Sequence, residues 1–146
     1  MASFNQKNMM LYLLAAANGA KFWHPIYCGF GGQVALSSSA LNNMYGYAGI
    51  TSDGRLVYAK FNMLGMQAEN DMLWLENMTS IKFSEFMRMH TIKMTFNQDG
   101  KKKKLKIKAN EVVHGKDFYM QEQNLKMFMD TLKKYGEMCG GYNVGY

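Results

Sequence analysis

The sequence predicts a mainly β domain of seven antiparallel strands, preceded by a short N-terminal helix and capped by a C-terminal one. Three observations carry this expectation. Two apolar-polar alternating runs flank Asp-Gly turns, one around Ser52 to Gly54 and one around Gln98 to Gly100, and this is the strongest local hairpin signal. Near the C-terminus, Leu125, Phe128, Met129 and Leu132 recur at the spacing of one helical stripe. At 146 residues and 48% hydrophobic, the chain can bury one sizeable core, so it is read as a single domain.

Taken in order, Asn5 to Asn18 reads as a helix with Met9, Leu13 and Ala16 or Ala17 on one stripe and Asn18-Gly19 as its stop. Residues 1–19 thus form an N-terminal helical segment. Within it, MMLYLLAAA (Met9 to Ala17) has the look of a weak secretory signal. Its basic flank is only Lys7 and its apolar run only nine residues, so a helix of a cytoplasmic protein is expected instead. Lys21 to Phe30, with four aromatic residues, suits a strand, and Pro25 implies an edge or a bulge there because it cannot donate to a ladder. Residues 31–45 mix Gly, Ser and Asn and read as a long loop. Tyr45 to Thr51 and Arg55 to Phe61 form a hairpin; after a polar break at Gln67 to Asp71, Met72 to Leu75 and Thr79 to Met87 add two strands. The strand region spans 20–110, the capping helix 117–136 with Gly136 as its stop, and the tail 137–146.

Thr91 to Asn110 carries the strongest functional signal. With Asp99 and Gly100 as turn residues, Phe96 opposes Lys103, Met94 opposes Leu105 and Ile92 opposes Ile107. The opposite face then sets Lys93 against Lys106, Thr95 against Lys104 and Thr91 against Lys108, a stacking of like charge that costs stability. Net charge is +6, and the excess lies entirely in residues 81–146, which hold 13 basic and 7 acidic side chains. Such a half favours anionic partners. The competing reading is that the lysines only solvate a sheet face and block edge aggregation.

Other chemistry is sparse. Cys28 and Cys139 lack the local pairing of a disulfide framework or zinc site, so reduced thiols are expected. His24, His90 and His114 have no carboxylate or Cys at ligand spacing and read as strand or loop residues, so no metal site is expected. Gly29-Phe30-Gly31-Gly32 lacks the Lys-Ser/Thr of a phosphate loop. No catalytic residues, cofactor or small-molecule substrate follow from these patterns.

The runs YGYAGITSDGRLVYAKF, DMLWLENMTSIKFSEF and NLKMFMDTLKKYG together resemble the bacterial pleckstrin-homology-like domains, including the small stand-alone YokE-like group, over roughly residues 20–136. Thr51, Arg55, Leu56, Val57 and Tyr58 match one strand motif of that group, and Leu73, Leu75, Met78 and Ile81 loosely match a strand pair. The resemblance implies a bent seven-stranded antiparallel barrel plugged by the C-terminal helix, serving as a non-enzymatic binding module. It also implies that phosphoinositide binding would use basic residues beside the first inter-strand loop, yet Gly29 to Gly54 contains no Lys or Arg. Two functions are therefore expected. The first is association with a protein partner or with itself, through an exposed strand edge or the aromatic surface near Phe22, Trp23 and Tyr27. The second is contact with an anionic membrane surface through Lys93, Lys101, Lys102, Lys104, Lys106 and Lys108; nucleic acid is disfavoured because no aromatic side chain interleaves these lysines.

Overall fold

The computed structural model describes residues 4–31, 44–62, 65–114 and 117–141. Helix α1 (Gln6–Ala16) leads into strands β1 (Phe22–Phe30), β2 (Met44–Thr51), β3 (Arg55–Phe61), β4 (Gln67–Trp74), β5 (Met78–Phe86), β6 (Met89–Gln98) and β7 (Lys101–Asn110), followed by α2 (Gln121–Met138). All strand pairs are antiparallel, in the order β4-β3-β2-β1-β7-β6-β5. The expected loop over 31–45 and tyrosine-bearing tail lie outside the described residues, except for Gly31, Met44, Tyr45 and 137–141.

The backbone ladder does not close, because β4 and β5 are both edges. Yet these two edges are consecutive in the chain, joined by a single 3₁₀ turn at Leu75–Asn77. A three-residue connection forces the sheet to curl until its edges meet at that corner. Side chains complete the seam. Gln98, at the end of β6, accepts a hydrogen bond from the Trp74 N–H (3.1 Å) and donates to the Met72 carbonyl (3.3 Å), imitating a strand partner for the β4 edge.

Two apolar layers result. The inner layer sets Ile81, Ile92, Met94, Phe96, Leu105 and Ile107 against Leu125, Phe128 and Leu132 of α2. The second covers the other side of β1–β4, where Met9 and Leu13 of α1 and Ala17 just after it meet Tyr47, Val57, Ala59 and Phe61. Strands β2 and β3, covered on both faces, are accordingly buried almost without alternation.

Local signals account for many boundaries. Asn5 caps α1 through its side chain, which accepts from the Asn8 N–H at 2.8 Å, and Asn18 and Gly19 end it at φ 54° and 84°. Pro25 sits in a bulge between Trp23 and Ile26, with His24 at φ 56°. Here β1 runs unpaired with β7, so the missing donor leaves no gap in a ladder.

Four expectations are corrected. Gln67 to Asp71 is not a break: it is the first part of β4, paired with β3 across a register shift opposite Lys60 and Phe61, and its polarity reflects an edge strand with solvent beside it. The strand ends at Trp74, and Leu75 belongs to the 3₁₀ turn. The last helix does not begin at Asp117, whose carboxylate instead accepts from the Gln6 N–H (2.8 Å) at the start of α1. Nor does it stop at Gly136, which is buried inside α2; the turn out comes at Gly140, φ 73°.

Candidate functional site: the outer face of β5, β6 and β7

Period-2 alternation sends Ile81, Ile92, Met94, Phe96, Leu105 and Ile107 inward and leaves an outward face of lysine, serine and threonine that ends in Phe86 and Met89 at the β5–β6 turn. The registers assemble it into rows. Ser80, Thr95 and Lys104 form one; Lys82, Lys93 and Lys106 the next; Ser84, Thr91 and Lys108 the third. The central row places three ammonium groups side by side across three strands. Among the described residues, none of Lys82, Lys93, Lys104, Lys106 and Lys108 has a carboxylate within ion-pair distance.

An open groove of about 380 Å³ runs along these rows, lined by Gly31, Ser80, Lys82, Lys93, Thr95 and Lys106 among others. Gly31 matters to its shape. A Cβ there would lie 2.6 Å from Cδ of Lys106, so only glycine lets the lysine stem rest against this backbone, where the Gly31 N–H also donates to the Lys106 carbonyl at 3.0 Å. Partial burial of Lys106, followed by the charges of Lys108 and Lys93, holds its ammonium pKa below the ordinary value. An incoming anion would relieve that repulsion.

The hairpin register expected from the sequence is the one found, with Asp99 and Gly100 at φ 55° and 77°. Lys93, Lys104, Lys106 and Lys108 come together on this face, and Lys102 lies beside Asn97 near the turn. Lys101 does not join them: it pairs with Gln98 and by alternation falls on the inward side, as does Lys103, which binds Asp71 at 2.6 Å. Lys82 was missed, since only the β5–β6 register brings it alongside Lys93.

The aromatic trio does not form a surface. Tyr27 stacks on Phe118 (centroids 5.0 Å apart, planes at 9°) and packs with Phe4, while Phe22 is half-buried in the same layer. Trp23 alone is exposed, at 51%.

The fold also gives His90 the carboxylates that its sequence neighbourhood lacks. Ligand atoms of Glu85, His90 and Glu111 lie within 4.8 Å of one another. Glu111, however, is already held by His90 (2.6 Å) and by Arg88 (2.9 Å), and Arg88 also reaches Glu122 of α2 at 3.4 Å. The guanidinium supplies the positive charge a cation would bring, and the cluster ties the β5–β6 turn to the helix. Cys28 is fully buried, and burial pushes its thiol pKa up, which keeps it from acting as a thiolate at neutral pH.

No family model and no curated protein matches this sequence. Among solved structures, the chain is similar to the hSac2 domain from human phosphoinositide phosphatase Sac2, with a TM-score of 0.54 and 12% identity over 95% of this chain and 87% of that one. At that identity the likeness is one of fold: a mainly β domain with a seven-stranded antiparallel sheet and a C-terminal helix. No helix among the described residues is long and apolar enough to cross a membrane.

Proposed function

We propose that this protein is a binding module, of the bacterial pleckstrin-homology-like kind, that applies the outer face of β5, β6 and β7 to anionic phospholipid head groups. The observation that carries the reading is the row Lys82–Lys93–Lys106, three adjacent ammonium groups without a carboxylate partner among the described residues. Like charges directly opposite one another cost stability, and anionic lipid relieves that cost. Each lysine close to an anionic surface contributes about 1 kcal/mol, diminished by salt. The order of seven strands and a capping helix supports the pleckstrin-homology-like assignment, with the bent sheet acting as a barrel sealed at its seam by side chains.

Association through Phe22, Trp23 and Tyr27 is the weaker reading, because two of the three are committed to internal packing. The test is co-sedimentation with neutral and anionic vesicles across a salt series. Binding that requires anionic lipid and fades with salt is the expected result. Absence of vesicle binding at low salt would overturn the proposal, and salt-sensitive binding to a single-stranded oligonucleotide alone would transfer the face to nucleic acid.

A further inference from the structure

The lysine face ends in an apolar corner. Phe86 follows Ser84 and Lys82 on the outward side of β5, about 13 Å from Lys82 at strand rise, and pairs with half-buried Met89 across the turn. Phe86 is 75% exposed and Met87 80%. Side by side at the tip of the turn, the two make an exposed apolar patch that adjoins the lysine rows.

The turn itself is built against its local preference. Met87 and Arg88 occupy φ 53° and 68°, the left-handed conformation that favours Gly, Asn and Asp. The neighbouring hairpin meets the same demand with Asp99-Gly100. A side chain kept at a strained position for no packing benefit marks a requirement other than folding. Arg88 meanwhile is fastened to Glu111 and Glu122, which fixes the tip against α2 and leaves the Phe86 and Met87 side chains outermost.

From this geometry we infer that Phe86 and Met87 form a wedge that inserts into the apolar interface of an anionic phospholipid bilayer while the lysine rows hold the head groups. The inference rests on the proposed lysine-face function. It adds a component of binding that salt does not screen, since burial of apolar surface is independent of ionic strength to first order. Removing both side chains weakens partitioning by about tenfold or more.

The experiment uses vesicles of equal parts phosphatidylcholine and phosphatidylserine. Cys28 is buried, so in a Cys139→Ser background a nitroxide attached at Met87→Cys reports on the turn alone, and one at Lys134→Cys on α2 serves as control. On vesicle binding, the label at position 87 is expected to become accessible to oxygen and shielded from a water-soluble nickel reagent, while the label at 134 stays in water. A second variant, Phe86→Ser with Met87→Asn, is expected to keep the wild-type melting temperature and lose the binding that survives high salt. Vesicle binding with position 87 still in water, or a double variant that binds as wild type at high salt, overturns the wedge and leaves the lysine face standing. No vesicle binding by the unlabelled protein overturns both.

Discussion

Lys103 of β7 reaches inward across the curled sheet to Asp71 of β4, Nζ 2.6 Å from Oδ2, although three strands separate them in the ladder. The contact, with Gln98 on the same edge, holds the seam that the backbone leaves open. Burial works to raise the Asp71 pKa, but hydrogen bonds from Lys103 and the Met72 N–H outweigh it and hold the carboxyl below its ordinary value. A folded-state pKa below the unfolded one gives stability that is full above about pH 4 and is lost as pH falls through the depressed value. Asp71→Asn should cost about 1 kcal/mol at neutral pH, given the pair's partial exposure, and should flatten the acid limb of stability. Urea midpoints measured from neutral pH down into the acid range check both.

Gln121 should prove one of the most sensitive polar positions. It is buried, its Nε2 donates to the carbonyls of Tyr27 (2.8 Å) and Asn110 (3.1 Å), and its Oε1 accepts from the Tyr27 N–H (3.0 Å). It thereby fills the gap where β1 and β7 diverge. Gln121→Leu strands these backbone groups away from water and should destabilise by about 2–4 kcal/mol in chemical denaturation.

Tyr58 points the other way. Its hydroxyl is buried without a hydrogen-bond partner among the described residues, and burial together with the nearby Asp71 and Glu69 carboxylates pushes its pKa up. Tyr58→Phe removes an unsatisfied group while keeping the ring. The expected change in unfolding free energy runs from zero to a gain of about 1 kcal/mol.

Lys93→Glu should separate binding from stability. Flanked by Lys82 and Lys106, the new carboxylate forms cross-strand ion pairs and should raise stability by about 0.5 kcal/mol. The same reversal should weaken anionic-vesicle binding by about thirtyfold at low salt. A melt and a co-sedimentation series on one preparation decide it; a variant that gains stability and binds normally would return the lysines to a solvating role.

Glu111 provides a second acid-sensitive contact. Hydrogen bonds from His90 and then Arg88 hold its pKa below the ordinary value, so its contribution is likewise present above the unfolded carboxylate range and lost on acidification. Glu111→Gln should reduce protection of the β5–β6 turn amides at neutral pH and have little effect in acid, as read by hydrogen exchange.

The sequence by itself determined the parts whose interactions are local. Asp99-Gly100 set the turn, and once the turn is set the period of two assigns every side chain from Ile92 to Ile107 to a face. Asn5, Asn18 and Gly19 likewise bounded α1 through hydrogen bonds and backbone conformations within a few residues. Tertiary structure decided the rest. The first five residues of β4, four of them polar, lack the alternation of a buried strand, and only the ladder offered by β3 makes them one. Gly136 reads as a helix stop, but close packing of α2 carries the helix past it to the left-handed exit at Gly140. The candidate site divides in the same way. Lys93 opposite Lys106 follows from a two-residue turn, whereas Lys82 joins them only through a Met-Arg turn that no local preference announces, and Tyr27 is removed from the surface by Phe4 and Phe118, distant in sequence. Turn and cap energies are settled between near neighbours, while the pairing of strands and the covering of faces depend on contacts that exist only when the whole chain has closed.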